Sequence, residues 1–370
     1  MRRPLLVTVV LAVFALLWAA CDQPTVTPSP EGSPVGQAPG ETPAAEEPPA
    51  EQPAAEGEIL AEVQERGNLI CGVNGQLVGF SFLDQATNEM TGFDADFCRA
   101  VAAAVLGDPD AVEFRPLSTD ARGPALQTGE IDVLIRNTTW TVSRDTSWGH
   151  FAPTTFYDGQ GMMVRAADNI TALEDLAGAT ICVQTGTTTE LNLADVFGAR
   201  GIDFTPQAFA ELEQTYSAYD EGDCDAVTSD RSQLLATRTT LTNPDEHVIL
   251  DEVMSKEPLG PVVPLGDDQW FNVVKWTVFA TIEAEELGIT SENVQDMVNS
   301  ENPVIARLLG AEGDLGLGLE PDWVVNVISA VGNYGEIYDR NLGPGTPMEL
   351  ERGPNSLWTE GGLLYAPPYR

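Results

Sequence analysis

The chain has 370 residues, and its 57 acidic and 18 basic side chains give a formal net charge of −39 at pH 7. This charge argues against a nucleic-acid partner, because binding to phosphate needs a basic surface. We interpret the acidity as serving solubility or adaptation to a salty or acidic medium. The length is sufficient for two domains plus tails, each domain with its own core.

Residues 1–21 have the features of an export signal. Met1-Arg2-Arg3 is a positive n-region, and residues 5–18 form an apolar stretch too short to be a convincing membrane span. Ala19-Ala20-Cys21 resembles a bacterial lipobox, in which the cysteine becomes the lipidated first residue of the mature protein. An ordinary signal peptide with a chance cysteine is the alternative. We expect lipidation of Cys21 and a membrane-anchored protein that faces the periplasm or the cell exterior.

Residues 22–57 form a segment rich in Pro, Ala and Glu. It contains no Lys or Arg and almost no large apolar side chain. Such a segment cannot bury enough apolar surface to offset the entropy lost on ordering. We therefore predict a disordered tether between the lipid anchor and the folded part.

The folded part begins near Glu58 with elements that alternate between strand and helix. Gly92-Phe93-Asp94 opens a helix for which Asp94 is the expected N-cap. The strands are expected over residues 68–73, 112–114 and 132–135, and the helices from residue 93 to Gly107 and over residues 121–127. This βαβαβ order predicts a parallel sheet with right-handed crossovers.

A second βα pattern follows an aromatic, proline-broken segment at residues 151–157. Its strands are expected over residues 161–164, 179–184, 202–206, 224–228 and 248–250, and its helices from the Thr187 region through Phe197 and over residues 212–219. Residues 256–264 form a second crossing, before a helix over residues 270–287. The pattern predicts an α/β fold of two hinged, doubly wound lobes, residues 58–157 with 262–370 and residues 158–261, with a ligand cleft between them.

Arg144 follows the strand at residues 132–135 and is the first candidate for binding. A guanidinium offers a fork of donors that matches a carboxylate, and open α/β sheets place ligands at the carboxyl ends of their strands. A solvated surface arginine is the alternative.

Two stretches of the second lobe have complementary chemistry. Gly186-Thr187-Thr188-Thr189-Glu190 starts a helix, whose free N–H groups and dipole suit an anion. The alternative is an N-cap with Glu190 in a capping box. Asp230 ends a strand and could pair with an ammonium, although aspartate is also common in turns. With Arg144, these stretches suit an α-amino acid zwitterion.

The chain resembles the amino-acid-binding proteins of polar amino acid ABC importers, and most of all their general L-amino-acid-binding subfamily. The resemblance covers about residues 57–370. The motifs that carry it are residues 92–105, Arg136-Asn137-Thr138-Thr139-Trp140, residues 184–193, Val331-Gly332-Asn333-Tyr334-Gly335-Glu336 and residues 362–368. It implies a two-lobed periplasmic-binding-protein fold of type II, which delivers L-amino acids to the permease subunits of an ABC importer.

The resemblance also implies a role for each residue at the matching position. Arg144 would bind the α-carboxylate, with Thr139 and the amide and hydroxyl of Thr187 or Thr188 beside it. Asp230 would receive the α-ammonium, with Asn137 contributing from the opposite lobe.

Two further positions bear on the ligand side chain. Leu77 stands where histidine- and lysine-type relatives carry an aromatic residue, and Asn74 replaces a nearby acidic residue. Arg122 stands where glutamate-type relatives carry an arginine. We therefore expect broad binding with a preference for acidic or amide side chains. The alternative is that Arg122 only pairs with Asp120 at the surface.

Four cysteines remain after Cys21, and four cysteines allow three disulfide pairings. Cys71 ends a strand and Cys98 faces inward from the helix expected to pack on it, whereas Cys182 and Cys224 lie in the second lobe. We predict Cys71–Cys98 and Cys182–Cys224, with buried free thiols as the alternative. We expect no metal site, because neither histidine has ligand spacing to these cysteines.

An exported, dehydratase-like enzyme acting on a cyclic amino-acid precursor is the alternative function. Asp230 or Glu190 could act as acid or base, but no Ser/His/Asp or Cys/His set is visible and two histidines are few for such work. We therefore expect a monomeric binding protein with no catalytic residues and no cofactor.

Overall fold

The structure is a computed structural model that describes residues 57–313 and 315–370. The predicted signal peptide, the lipidation of Cys21 and the tether up to residue 56 lie outside the described residues. Within those two ranges, no helix combines the length and the apolar character that crossing a membrane requires.

The helices and strands alternate along most of the chain. The helices are α1 Glu58–Arg66, α2 Phe93–Leu106, α3 Arg122–Gln127, α4 Val142–Ser147, α5 Thr188–Arg200, α6 Leu212–Glu221, α7 Arg231–Arg238, α8 Asp268–Glu286, α9 Val294–Met297, α10 Pro303–Leu308, α11 Trp323–Val331 and α12 Tyr334–Asn341. The strands are β1 Leu69–Val73, β2 Gln76–Leu77, β3 Ser81–Asp84, β4 Glu89–Thr91, β5 Val112–Pro116, β6 Val133–Leu134, β7 His150–Phe151, β8 Phe156–Asp158, β9 Gln160–Arg165, β10 Thr180–Gln184, β11 Thr205–Phe209, β12 Ala226–Asp230, β13 His247–Ile249, β14 Glu257–Leu259 and β15 Val262–Val263.

Two five-stranded sheets define two lobes. The first has the order β5-β1-β6-β15-β7, and the second has the order β11-β10-β12-β9-β13. In the first sheet β1 runs parallel to β5 and β6, whereas β15 runs antiparallel to β6 and β7. In the second, β10 runs parallel to β11 and β12, whereas β9 runs antiparallel to β12 and β13. The predicted two-lobed α/β fold is therefore confirmed, but its sheets are mixed rather than wholly parallel.

The segments that cross between the sheets pair with each other. Strands β8 and β14 form a two-stranded antiparallel ribbon, in which Phe156 lies opposite Leu259 and Asp158 lies opposite Glu257. Thr139, in the loop after β6, makes an isolated antiparallel bridge to Leu259. The crossing ribbon is thus tied to the loop that carries several of the predicted ligand contacts.

Each lobe has apolar packing of its own. In the first lobe, aromatic rings meet edge to face between α2, α12 and the crossing ribbon, with 5.7 Å between the Phe93 and Tyr334 centroids and 6.0 Å between those of Phe93 and Phe156. In the second lobe, Met162 and Met163 on β9 belong to separate clusters. Successive side chains of a strand point to opposite faces, so this sheet is covered on both faces.

Both predicted disulfides are confirmed. Cys71 on β1 is bonded to Cys98 on α2, with 6.1 Å between their Cα atoms. Cys182 on β10 is bonded to Cys224, just before β12, with 5.7 Å between their Cα atoms. Each bridge stays within one lobe. The described part of the chain contains no cluster of three or more His, Cys, Asp or Glu residues that could hold a metal ion.

Asp94 is not the N-cap of α2, so that prediction is wrong. Gly92 occupies the cap position with φ 125°, and a Cβ there would lie 2.3 Å from the Phe80 carbonyl oxygen. The Phe80 carbonyl accepts from Asp94 N at 2.8 Å, and the Gly79 carbonyl accepts from Phe93 N at 2.8 Å. Because backbone carbonyls satisfy these donors, the helix needs no side-chain cap.

The strand predicted over residues 202–206 is also misplaced. The structure has β11 at Thr205–Phe209, paired with β10 from Thr205 opposite Thr180. This edge strand is largely exposed, so its sequence lacks apolar alternation. The buried Ile202 lies in the loop before β11 and packs against the second-lobe core.

Candidate functional site

A small cavity of about 20 Å³ lies between the two lobes, well below the usual volume of small-molecule sites. Its lining is polar and comes from both lobes. The first lobe contributes Thr119, Arg122, Arg136, Asn137, Thr139 and Arg144, and the second contributes Gln184, Thr187, Thr188, Thr189, Ser229, Asp230 and Gln233. Every predicted binding residue except Leu77 is therefore part of the cavity wall.

Arg144 lies in the short helix α4, which is capped by the Thr141 hydroxyl accepting from Arg144 N at 3.3 Å. Its Nη1 donates to the Thr139 carbonyl oxygen at 2.9 Å, and its guanidinium lies 5.0 Å from the Trp148 ring centroid. Burial lowers the pKa of Arg144, opposed by the charges of Asp230 and Glu257. The side chain is thus a buried, oriented cation and not a surface arginine.

The first turn of α5 forms the opposite wall. Thr187 is the N-cap: its hydroxyl accepts from Glu190 N at 3.1 Å and donates to the Gln184 carbonyl oxygen at 2.7 Å. The Glu190 carboxylate accepts from Gly186 N at 3.0 Å, one residue before the cap. The capping interpretation and the anion-site interpretation are compatible, because the first N–H groups of a helix have no acceptor within it.

Asp230 occupies the last position of β12 and the N-cap position of α7, but its side chain makes no capping hydrogen bond. It is buried in the cavity wall. Burial raises the pKa of Asp230 well above its usual value, reinforced by Asp158 and Glu257 and opposed by Arg122 and Arg144. A cation brought to this carboxyl would favour its ionised form.

Arg122 is buried at the start of α3, so the alternative of a surface pair with Asp120 is wrong. Its Nη1 donates to the Thr138 hydroxyl at 3.2 Å, and its guanidinium lies 5.6 Å from the Trp148 ring centroid. Burial lowers the pKa of Arg122 well below its usual value, and the neighbouring Arg136 and Arg144 lower it further.

Arg136 is a cavity residue to which the sequence analysis gave no role. It is 6 % exposed, and its Nε and Nη1 have no hydrogen-bond partner among the described residues. Burial lowers its pKa to about 10, opposed by Asp94 and reinforced by Arg144. The position directly after a strand and before Asn137 was the signal that could have identified it.

Leu77 does not contact the cavity, so its predicted role is wrong. It is fully buried in the first-lobe core, whereas Gln76 and Val78 on either side line a neighbouring groove. Side chains alternate along β2, and the position that resembles the aromatic shelf of relatives therefore points inward. Asn74, nearby, donates from Nδ2 to Asn137 Oδ1 at 3.1 Å.

Glu257, on the crossing strand β14, holds two hydroxyls of the cavity wall. Its Oε2 accepts from the Thr139 hydroxyl at 2.6 Å and from the Thr188 hydroxyl at 2.9 Å. The two hydroxyl oxygens lie 3.3 Å apart. Glu257 itself is 1 % exposed.

A second chamber adjoins the cavity and shares Thr119, Arg136 and Gln184 with it. Its remaining wall comes from the β2–β3 region, from the end of β5 and the residues after it, and from the start of α6: Asn74, Gly75, Gln76, Leu83, Gln85, Pro116, Leu117, Ser118, Glu211 and Leu212. The chamber extends the space beyond Arg136.

Two α/β lobes with a charged cavity between them, formed at the carboxyl ends of strands, define a two-lobed solute-binding protein. A family model for the bacterial extracellular solute-binding proteins, family 3, matches residues 69–343. The chain belongs to this family. The family that the sequence motifs indicated is thereby confirmed.

Named proteins and a solved structure are similar to the chain over most of its length. The general L-amino acid-binding periplasmic protein AapJ of Rhizobium johnstonii is 54 % identical over 316 residues, 84 % of this chain and 92 % of that protein. The glutamate/glutamine/aspartate/asparagine-binding protein BztA of Rhodobacter capsulatus is 49 % identical over 320 residues, 85 % and 94 % of the two chains. A solved periplasmic binding protein from Brucella ovis with glutathione bound is 52 % identical, with a TM-score of 0.83 over 86 % of this chain and all of that one.

Proposed function

We propose that the protein binds L-amino acids outside the cytoplasm and delivers them to the permease subunits of an ABC importer. The observation that carries this proposal is the placement of buried Arg144 and Asp230 on opposite walls of one cavity. A guanidinium and a carboxyl, each desolvated, match the carboxylate and ammonium that all α-amino acids share. The names of AapJ and BztA point the same way.

Each end of the ligand is held by both lobes in this proposal. Arg144 and the first turn of α5 bind the α-carboxylate, and Asp230 with Asn137 receives the α-ammonium. The lobes are residues 58–157 with 262–370 and residues 158–261, and the ligand stabilises their closed arrangement because it contacts both.

The charge of the wall favours ligands with a second anionic or polar end. Arg122, Arg136 and Arg144 line the cavity, against the single carboxyl of Asp230. An acidic amino acid brings two carboxylates and one ammonium and so compensates this excess best, whereas lysine and arginine add to it. We therefore propose the order acidic or amide above aliphatic, and aliphatic above cationic side chains.

A second candidate ligand is a γ-glutamyl peptide such as glutathione. The chamber beyond Arg136 supports it, because a ligand whose side-chain carboxyl is joined to another residue needs space beyond the amino-acid cavity. The relative from Brucella ovis was solved with glutathione bound. Calorimetry with L-glutamate, γ-glutamylglycine and glutathione tests this candidate: tight glutamate binding with no detectable peptide binding would contradict it.

The proposal includes an anchored monomer that does not turn its ligand over. Cys21 carries the lipid, and residues 22–57 let the folded part reach the permease; several acyl chains on one cysteine would hold it stably. The cavity contains no histidine among its described lining residues, which supports binding rather than acid–base catalysis.

A thermal-shift screen against the standard amino acids tests the function directly. A ligand that binds only the folded state raises the melting temperature, because it adds to the free energy of unfolding. At a hundredfold excess over Kd this gain is about 2.7 kcal/mol. Acidic and amide amino acids should give the largest shifts. No shift with any amino acid, or turnover of a prephenate-like substrate in parallel assays, would contradict the proposal.

A further inference from the structure

We infer that Glu257 is a positioning residue for ligand recognition: it fixes the hydroxyl groups of Thr139 and Thr188 as acceptors for the ligand ammonium, and it links the two lobes across the crossing ribbon. This inference rests on the proposed binding of amino acids. It assigns a function to a buried carboxylate that lies outside the cavity wall.

The geometry around Glu257 leaves few alternatives for its hydrogen bonds. Oε2 accepts from the hydroxyls of Thr139 and Thr188, and Oε1 accepts from Asn192 Nδ2 at 2.9 Å and from the Ser255 hydroxyl. In each of these four contacts the partner donates and an oxygen of Glu257 accepts.

The single proton on each threonine hydroxyl determines whether that hydroxyl can donate to a ligand or only accept from it. A hydroxyl has one proton and two lone pairs. Because Thr139 and Thr188 both give that proton to Glu257, each can offer only lone pairs to a ligand in the cavity. Their hydroxyls can accept from an ammonium, and they cannot donate to a carboxylate. This reverses the expectation that they stand beside the α-carboxylate as donors.

The orientation of the ligand follows from this arrangement. The cavity has donors on the guanidinium of Arg144 and at the start of α5, and acceptors on Asp230 and on the two hydroxyls. An amino acid placed with its carboxylate against the hydroxyls would leave lone pairs facing lone pairs, which is unfavourable in a buried site. Glu257 thus selects one orientation of the zwitterion without touching it.

Glu257 also connects parts of the fold that belong to different lobes. On the first-lobe side the connection includes backbone contacts, since Trp140 N donates to the Pro258 carbonyl at 2.8 Å. On the second-lobe side the side chains of Thr188, Asn192 and Ser255 donate to Glu257. Glu257 and Thr139 belong to different lobes, so their hydrogen bond stabilises the closed arrangement.

Calorimetry on the mature chain tests the inference with paired ligands. L-Glutamate and glutarate differ in the α-ammonium, and L-leucine and 4-methylpentanoate form a second such pair. In Glu257→Gln, an amide N–H can donate to a threonine hydroxyl and free its proton for a carboxylate. We expect the ratio of glutamate affinity to glutarate affinity to fall by about tenfold or more, as expected for a hydrogen bond to a charged group.

Ser255→Ala removes another hydrogen bond to Glu257 and should leave the ratio unchanged; far-ultraviolet circular dichroism confirms that each variant is folded. If the wild type binds glutamate and Glu257→Gln loses affinity equally for both members of a pair, the role of Glu257 is merely structural and the inference is overturned. Failure of the wild type to bind any amino acid would instead contradict the proposed function, and the inference with it.

Discussion

Asn137 and Gln233 are hydrogen-bonded across the cleft: Asn137 Nδ2 donates to Gln233 Oε1 at 2.7 Å. Asn137 follows β6 of the first lobe, and Gln233 lies on α7 of the second, where its Nε2 donates to the Tyr216 hydroxyl at 3.4 Å. Both side chains are buried and line the cavity. The contact therefore joins the lobes directly and also positions an amide beside the ligand.

The first prediction concerns this contact. Gln233→Ala should weaken amino-acid binding by about 1 kcal/mol, the usual net value of a neutral hydrogen bond, because the closed arrangement loses one bond. The effect should lie mainly in a faster dissociation rate, measured by stopped-flow displacement. Gln295→Ala, which removes an exposed hydrogen bond to Ser329, is the control. A slower dissociation from Gln233→Ala would contradict the prediction.

Removal of the Arg144 guanidinium should have a much larger effect. Arg144→Ala takes away one partner of a buried charge pair, which costs about 2–5 kcal/mol of binding free energy. Titration calorimetry with L-glutamate measures the loss. Arg115→Ala removes a cation that pairs with Glu113 and Glu130 away from the cavity, and it should bind as the wild type does. Near-native affinity in Arg144→Ala would refute the assignment of the carboxylate site.

Arg122 and Arg136 should determine preference among side chains. We expect Arg122→Gln and Arg136→Gln each to lower the ratio of glutamate affinity to leucine affinity, because each removes a cation that an aliphatic side chain does not use. Competition calorimetry gives both affinities in one experiment. If the ratio is unchanged in Arg136→Gln and reduced in Arg122→Gln, Arg136 belongs to the second chamber and not to the amino-acid site.

Asp94 should make stability depend on pH. Burial raises its pKa to about 7, opposed by Arg136. In the unfolded chain Asp94 ionises near pH 4, so between about pH 4 and 7 the folded state holds a proton that the unfolded state has lost, and the contribution of Asp94 to stability falls as pH rises. The difference in melting temperature, Asp94→Asn minus wild type, should therefore increase from pH 4 to pH 8. A constant difference would show that Asp94 does not titrate in this range.

The two disulfides should stabilise the lobes separately. They close loops with sequence separations of 27 and 42 residues. On the chain-entropy model each contributes about 3–4 kcal/mol to stability. Replacing both cysteines of one pair by alanine should lower the unfolding midpoint, and non-reducing peptide mapping should show the other bridge intact. A bridge between cysteines of different lobes in the wild type would contradict the assignment.

Local sequence patterns locate functional residues that lie near strongly apolar strands. Arg144, Asp230 and the helix start at Thr187 could be located because each lies at the end of, or in the loop region after, a strand with a strong apolar signal. β11 was misplaced because it is an exposed edge strand, and its position is set by pairing with β10. Leu77 was misassigned because a resemblance in position does not determine the face to which a residue points.

Contacts between distant segments were beyond the reach of sequence patterns. Glu257 lies 118 residues from Thr139 along the chain, and its hydrogen bond depends on how β14 crosses between the lobes. Arg136 was visible in its motif, but its unpaired buried nitrogens follow from the packing around it. Both features are buried side chains that can carry a charge. The apolar periodicity of a short segment does not predict where such side chains are buried.

The indole of Trp148 has a consequence for how this cavity could acquire a new selectivity. Both Arg122 and Arg144 stack on this one ring, and a Cβ at Gly123 would lie 2.7 Å from it. A substitution that shifts the ring would displace the two guanidiniums together, so affinity for every amino acid and discrimination among them would change at once. Among the described residues, neither Arg136 nor the second chamber takes part in a cation–aromatic contact with this ring. Substitutions there are therefore the least costly route to a different ligand.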